Sequence, residues 1–121
     1  MRITNLKNCP EFIAGDNCIL RELLHAGKGD YAFRYSLAQA KVKSGKTTFA
    51  HKLKTSEVYY ILKGRGRMCI NNESAAVKRG DAIYIPPMAS QYIQNTGKSD
   101  LVFLCIVDPA WRVQDEEVVK T

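Results

Sequence analysis

Short apolar stretches, separated by glycine, proline and asparagine, occur along most of this chain. Many are rich in β-branched and aromatic side chains, which favours strands over helices. The sequence predicts strands over residues 18–24, 31–38, 57–62, 67–70, 82–85, 91–94 and 101–107. Short strands that follow one another across turn signals are typical of an all-β sandwich or barrel.

Two of these stretches predict particular faces. In the stretch 31–38, Tyr31, Phe33 and Tyr35 alternate with other residues, so we expect them on one face of a strand. The stretch 101–107 is the most apolar of the chain, and we expect it to be buried on both faces. Residues 109–121 predict a polar C-terminal tail with one large anchor, Trp111.

The first of two glycine-bracketed segments, residues 45–64, carries candidate chemistry. Its pattern is Gly45-(X)5-His51-X-Leu53-(X)3-Glu57-(X)6-Gly64. Residues two apart on a strand point to the same face, so His51 and Leu53 share one. An imidazole and a carboxylate are good ligands for first-row metal ions and can also act as an acid–base pair.

The second segment, residues 80–95, has the pattern Gly80-(X)5-Pro86-X-Met88-(X)2-Gln91-(X)3-Asn95. Proline cannot donate a hydrogen bond to a sheet, so Pro86 ends the preceding strand. The amide oxygen of Gln91 can bind a metal ion, although it is neutral and a weaker ligand than imidazole. The glycines serve as backbone devices for turns.

Together the two segments resemble the motifs of the cupin superfamily, G(X)5HXH(X)3,4E(X)6G and G(X)5PXG(X)2H(X)3N. The resemblance implies a small single-domain cupin of the Cupin_2 type over residues 1–121, an antiparallel jelly-roll β-barrel of six to eight strands. It also implies a homodimer, for which an N-terminal strand is available for exchange. Members of the family hold one iron, manganese, nickel, zinc or copper ion with two motif-1 histidines, the glutamate and the motif-2 histidine.

This chain departs from that ligand set. His51 and Glu57 match, but Leu53 and Gln91 stand at the two other histidine positions, and Met88 replaces the motif-2 glycine. The candidate metal ligands are therefore His51, Glu57 and Gln91, with Cys69 or His25 as a fourth ligand if the fold brings either inward. The alternatives are a weak site with the same ligands, or a metal-free pocket in which His51 and Glu57 hydrogen-bond each other.

Three functions follow from these alternatives. The first is a metal-dependent small-molecule enzyme, and the second is a metal-free sugar or sugar-phosphate isomerase or epimerase with His51 and Glu57 as catalytic acid and base. The third is a non-catalytic module that binds a small anionic metabolite. In each case the sequence offers three tyrosines to position a ligand: Tyr59, Tyr84 and Tyr92.

The charge of the chain limits the classes of ligand that it is expected to bind. The net charge is +6, and ten basic residues between positions 41 and 79 face only two acidic ones. That stretch is either a solvated outer face or an attractor for a small anion; without a recognition helix or an RNA-binding aromatic signature, we expect no nucleic-acid partner.

The cellular location of the protein is predicted from targeting and membrane-spanning segments. No signal-peptide core and no apolar run of about 20 residues is found, so we expect a cytoplasmic protein without a membrane partner. The four cysteines have no C-x-x-C spacing, and we expect reduced, mostly buried thiols.

Overall fold

Two antiparallel β-sheets face each other in the computed structural model, which describes residues 1–119. Their strands are β1 Phe12–Ile13, β2 Ile19–His25, β3 Ser36–Val42, β4 His51–Leu53, β5 Ser56–Lys63, β6 Arg65–Ile70, β7 Glu73–Lys78, β8 Ala82–Ile85, β9 Gln91–Asn95, β10 Leu101–Asp108 and β11 Glu116–Val118. The six-stranded sheet has the order β1-β2-β3-β10-β5-β8, and the five-stranded sheet has the order β11-β4-β9-β6-β7. The predicted all-β jelly-roll barrel is confirmed. The described residues contain more strands than the six to eight expected, because several of the strands are very short.

The core lies between the sheets, on the inward-facing positions of each strand. Ile61 and Phe103 come from the six-stranded sheet and Ile93 from the five-stranded sheet, and each is at most 1% exposed. The ring of Tyr59 packs against Phe103 with 4.4 Å between centroids. This alternation of buried and outward residues explains why the β-rich stretches could be recognised from the sequence.

Two strand predictions are wrong in detail. The predicted strand 31–38 begins only at Ser36, and before it the rings of Tyr31, Phe33 and Tyr35 stack on one another at 4.5 Å intervals instead of facing a sheet. The sequence prediction also missed β7. Five of its six residues are exposed, so the strand has almost no apolar pattern by which to be recognised.

β10 is not buried on both faces as expected. Leu101, Phe103 and Val107 point inward and are buried, whereas Val102, Leu104 and Ile106 alternate with them and are only half-buried. β10 lies between β3 and β5, so its outward residues belong to the outer face of the six-stranded sheet. That face is apolar across β10, β5 and β8, whereas on the β2–β3 side Arg21 and Lys41 form ion pairs with Glu11.

The C-terminal segment is more than a polar tail. Residues 113–115 form a 3-10 turn, and β11 pairs with β4, placing Glu116 opposite Leu53 and Val118 opposite His51. Arg112 fixes the turn with two hydrogen bonds of 2.9 Å to the buried carboxylate of Asp115. The remainder of the predicted tail, residues 120–121, lies outside the described residues. The segment therefore closes one edge of the five-stranded sheet beside the motif-1 strand.

Turns at one end of the barrel depend on the second motif. Asn95 is 2% exposed; its amide group donates to the carbonyls of Val42 and Ser99, both at 2.8 Å, and its side-chain oxygen accepts from Gly97 at 2.8 Å. Gly64 has a φ of 86°, and a Cβ there would lie 2.7 Å from the Asp100 carbonyl oxygen. The predicted structural role of this glycine is confirmed.

The thiol prediction is also confirmed for the described residues. All four cysteines are free, and Cys9, Cys18 and Cys105 are buried while Cys69 is half-buried. Among residues 1–119, no helix has the length and apolar character needed to cross a bilayer.

Candidate functional site

A cavity of about 340 Å³ opens at the end of the barrel opposite the Asn95 turns. Its volume is at the lower end of the range for small-molecule sites. Three polar residues of the first motif line it: His51 from β4, and Glu57 and Tyr59 from β5. The apolar lining includes Leu20, Ala38, Leu53, Cys105 and Val107. The interior thus combines a few polar groups with a largely hydrophobic surface.

A chain of hydrogen bonds runs through the buried wall of the cavity. The Tyr59 hydroxyl donates to Gln91 Oε1 at 3.1 Å, and Gln91 Nε2 donates to Glu57 Oε1 at 3.0 Å. All three residues are less than 7% exposed. Tyr59 and Glu57 lie on β5 and Gln91 lies on β9, so this chain joins the two sheets. Gln91 itself lies behind the other two residues and does not line the cavity.

Burial controls the protonation state of Glu57. The pKa of its carboxyl is raised from 4.5 to about 8. Removal from water is the largest cause, the hydrogen bond from Gln91 opposes it, and the nearby carboxylates of Asp16 and Glu116 add to it. At neutral pH this carboxyl is therefore mainly protonated. A neutral carboxylic acid in a cavity wall can donate a hydrogen bond or a proton to a ligand.

The orientation of the His51 ring is fixed by contacts to its Nδ1 atom. Its Nδ1 donates to the Phe49 carbonyl at 3.1 Å, and Asp16 Oδ2 lies 3.9 Å from the same nitrogen. A proton on Nδ1 leaves Nε2 as the ring nitrogen that can accept one. Asp16 is buried and held in place because its Oδ1 accepts from the backbone N–H of Cys18 at 3.1 Å. The imidazole consequently has a fixed tautomer and a carboxylate that can stabilise its protonated form.

Further carboxylates on the cavity wall were missed from the sequence. Glu116 accepts from the Trp111 indole at 3.2 Å, and half-burial raises the pKa of its carboxyl, while His51 lowers it. Glu22 also lines the cavity and holds Lys28 at 2.7 Å. These residues come from outside both motifs, and no local pattern marks them.

The other predicted site residues lie elsewhere. Tyr84 pairs with Val58 and Tyr92 pairs with Cys69; strand alternation turns both tyrosines outward, where they are 63% and 38% exposed. His25 Nε2 donates to the Trp111 carbonyl at 2.7 Å, outside the cavity. Of the three candidate tyrosines, the structure therefore brings only Tyr59 to the cavity.

Met88 and Cys69 are likewise absent from the cavity wall. Met88 has a φ of 68° and an exposed side chain, and its backbone N–H donates to the Leu53 carbonyl at 2.7 Å. Its substitution for glycine therefore affects a turn rather than the pocket mouth. His51 and Glu57 also make no hydrogen bond with each other in the described residues, contrary to one of the metal-free alternatives; each has its own partners.

The donor set does not fit a tightly held transition-metal ion. It offers one imidazole, and Leu53 fills the position of a second. The Gln91 oxygen already accepts from Tyr59, and Gln91 does not line the cavity. Within residues 1–119, no group of three or more His, Cys, Asp or Glu side chains is arranged to hold a metal ion.

The basic stretch faces outward. Lys43, Lys63, Arg65, Lys78 and Arg79 are all exposed, and none of them lines the cavity. Among the described residues, the cavity lining instead includes the acidic side chains of Asp16, Glu22, Glu57 and Glu116, and only Lys28 and His51 as basic groups. Its interior therefore does not have the charge expected for binding a small dianion.

Comparisons with known proteins agree with this architecture. The family model described as a cupin domain (Cupin_2) matches residues 39–107. The chain is 45% identical over 112 residues to the uncharacterized protein MJ1618 of Methanocaldococcus jannaschii, covering 90% of this chain and 87% of that protein. It is 35% identical over 71 residues to an oxalate-binding protein of Thermotoga maritima, covering 58% of this chain and 59% of that protein. The fold is similar to Streptomyces PAC13 with uridine, with a TM-score of 0.78 and 19% identity over 99% of this chain and 92% of that chain.

Restoring the missing imidazoles should create a metal site. We expect the native protein, purified without chelator and dialysed against zinc, to retain far less than one equivalent. The Leu53→His/Gln91→His variant should retain about one equivalent, because it supplies the three-histidine, one-carboxylate set that transition metals favour. Elemental analysis measures both, and Leu53→His alone is the matched control. Stoichiometric metal in the native protein that is lost in His51→Ala would contradict this prediction.

The raised pKa of Glu57 predicts a pH dependence of stability. Between pH 4.5 and about 8 the folded protein retains a proton that the unfolded chain releases. The Glu57 contribution to the free energy of unfolding should thus be most favourable below pH 4.5, fall by a few kcal/mol as the pH rises to about 8, and then level off. Denaturant titrations across this window should show a decline that Glu57→Gln reduces, leaving the contribution of Glu116, whose pKa burial also raises. The exposed Glu117→Gln variant should keep it, and an unchanged profile in Glu57→Gln would show that the carboxyl is ionised in the folded protein.

Proposed function

The chain belongs to the cupin family, and from this premise we propose that its cavity binds a small polyhydroxylated molecule and acts on it by metal-free acid–base chemistry. The substrate class is a sugar or sugar-like molecule, and the reaction is an isomerisation or epimerisation. The observation that carries the proposal is the pair of unlike proton-transfer groups in one cavity, contributed by strands of the two facing sheets. Glu57 holds its proton at neutral pH, whereas His51 has a nitrogen available to accept one.

The two groups suit proton transfer at a carbon next to a carbonyl. His51 Nε2 removes the proton from the carbon, and Glu57 donates its proton to the carbonyl oxygen, which gives a neutral enediol. Return of a proton to a carbon and recovery of the Glu57 proton complete the isomerisation without any external oxidant or reductant. Asp16 stabilises the imidazolium formed in the first step, and Tyr59 and Gln91 hold the Glu57 carboxyl in place.

The charge and walls of the cavity favour a neutral ligand over a small dianion. Carboxylates accept hydrogen bonds from hydroxyl groups, and the Trp111 ring beside Glu116 offers a flat apolar face for a sugar ring. Lys28 is already paired with Glu22. For this reason we favour a sugar or nucleoside over oxalate, although a relative matched over 59% of its length is an oxalate-binding protein. Uridine, present in the PAC13 structure, is a natural first probe.

Deuterium exchange tests the reaction even while the substrate is unidentified. The protein is incubated in D2O with a panel of aldoses, ketoses and their phosphates, and carbon-bound deuterium is measured by NMR. We expect solvent deuterium to appear at the carbon beside the carbonyl of at least one sugar. The rate should fall by roughly 100-fold or more in His51→Ala and in Glu57→Gln, because each removes a proton-transfer group.

The controls separate an enzyme from a binding module. Glu117→Gln should exchange at the native rate, and calorimetric binding of the active sugar should survive in Glu57→Gln. Oxalate and uridine are titrated alongside the sugars, with uridine expected to bind more tightly than oxalate. Binding of a sugar without any exchange would leave the non-catalytic module as the function. Tight binding of oxalate in place of all sugars would overturn the substrate class.

We also propose that the protein is a homodimer formed through the outer face of its six-stranded sheet. Leu37, Ile106, Val58 and Tyr84 lie side by side in one row across β3, β10, β5 and β8. Leu104 and Tyr60 lie next to each other in the following row. A second copy related by twofold symmetry can cover this apolar patch with the same patch of its own. β1 pairs with β2 of its own chain, and for this reason we favour the outer face over strand exchange.

Light scattering tests the dimer. The native protein should have a mass of about twice the 13.6 kDa of one chain. Tyr84→Glu should shift it to the monomer, because it would bury a charge in an apolar contact. Tyr92→Glu, on an exposed position of the other sheet, is the matched control and should leave the mass unchanged. A native monomer, or a dimer that Tyr84→Glu leaves intact, would contradict this interface.

A further inference from the structure

We propose that the barrel has a second ligand site, a basic surface cleft at the end opposite the cavity, and that this cleft binds a short polyphosphate chain. The cleft has a volume of about 480 Å³ and is open to solvent. Four basic side chains surround it, Arg65, Lys78, Arg79 and Lys98, together with the backbone of Gly64 and Gly97. No residue lines both this cleft and the barrel cavity.

The four basic residues converge from three separate turns. Arg65 begins β6 after the turn at Gly64, Lys78 and Arg79 lie where β7 turns into β8, and Lys98 lies between β9 and β10. Along β5, Glu57 and Gly64 are seven residues apart, which places the cleft about 23 Å from the proposed catalytic carboxyl. The cleft is therefore a site of its own and does not depend on the function proposed for the cavity.

The charges in the cleft are available to a ligand. In the part of the chain that the structure describes, none of the four basic side chains forms an ion pair within 4 Å. The two nearby carboxylates are engaged otherwise: Asp81 accepts from the backbone N–H of Lys78 at 2.8 Å, and Asp100 lies 3.6 Å from Lys43. Four cations gathered with no ion-pair partner within 4 Å repel one another, and an anion that bridges them reduces that repulsion.

The scaffold beneath these side chains is fixed. Asn95 ties the β9–β10 turn to β3 through its bonds to Val42, Gly97 and Ser99, and Thr96 donates to the Arg65 carbonyl at 3.3 Å. Backbone groups that hold their positions reduce the entropy lost when a ligand binds. Although the side chains themselves are exposed, the turns that carry them are held in a fixed arrangement.

The chemistry of the cleft selects phosphate in a short chain. Arginine presents a planar fork that fits phosphate oxygens, and lysine adds a compact charge. The cleft of about 480 Å³ has room for two or three linked phosphates, which offer more oxygens to the four cations than a single phosphate does. Aromatic side chains, on which single-stranded nucleic acids stack, are absent from the described lining of the cleft. The phosphate chain can be inorganic or can belong to a nucleotide.

Calorimetric titration with inorganic triphosphate tests the site at about 50 mM salt, where surface charges are weakly screened. We expect saturable binding at one site per chain, with orthophosphate at least about tenfold weaker because it contacts fewer cations. The Arg65→Gln/Arg79→Gln variant should bind triphosphate at least about tenfold more weakly than the native protein. Lys7→Gln/Arg34→Gln removes the same charge from exposed positions outside the cleft and should change the affinity by less than about twofold.

The remaining titrations distinguish the source of the phosphate. Equal affinity for ADP and pyrophosphate means that only the phosphates are recognised, and tighter binding of ADP assigns the cleft to nucleotides. Failure to saturate with triphosphate, or equal weakening in both double variants, would overturn the proposal. It would also be overturned if a short single-stranded RNA bound more tightly than triphosphate and lost affinity in Arg65→Gln/Arg79→Gln. Thermal unfolding of each variant confirms that it is folded, since all four substitutions are at exposed positions.

Discussion

The buried hydrogen-bond chain Tyr59–Gln91–Glu57 is the constraint on which the site depends. A carboxyl, an amide and a hydroxyl removed from water must satisfy one another, because an unpaired buried polar group costs about 1–3 kcal/mol. Here the phenol donates to the amide oxygen and the amide donates to the carboxyl, so each group has a partner across the space between the sheets. The arrangement fixes which way Gln91 points, and with it the direction in which Glu57 can act.

This chain of bonds stands where the family motif would supply a metal ion. A cation would keep the glutamate ionised, since a positive charge favours the carboxylate. Among the groups of this chain, burial has the largest influence and raises the Glu57 pKa to about 8. In the function that we propose, Leu53 and Gln91 together change the chemistry of the wall from metal binding to proton donation. Gln91 alone would not be sufficient, because an imidazole at position 53 would restore a second nitrogen ligand on the same face as His51.

Most strands and the two motif residues could be predicted from the sequence, because they depend on local signals. Alternation marked most of the strands, and spacing placed His51 and Glu57 at the same site. The wrong predictions concern side chains whose burial depends on strands that are distant in the sequence. Tyr84 and Tyr92 have strand-forming side chains like Tyr59, and only the register with neighbouring strands decides which tyrosine faces the interior. No local signal indicated that β7 would form, since an exposed edge strand carries little apolar pattern.

Asp16 and Glu116 could not have been predicted for a different reason. They come from a loop before β2 and from the C-terminal strand, and reach the cavity only when both segments close over the motif strands. Their position gives the barrel two ends of opposite character. Carboxylates gather at the cavity end, while the basic side chains of the β5–β6, β7–β8 and β9–β10 turns gather at the other. A net charge of +6 therefore describes neither end. In the two proposals, the charge of each end selects the ligand that enters it, so one small barrel presents a site for a neutral molecule and another for an anion.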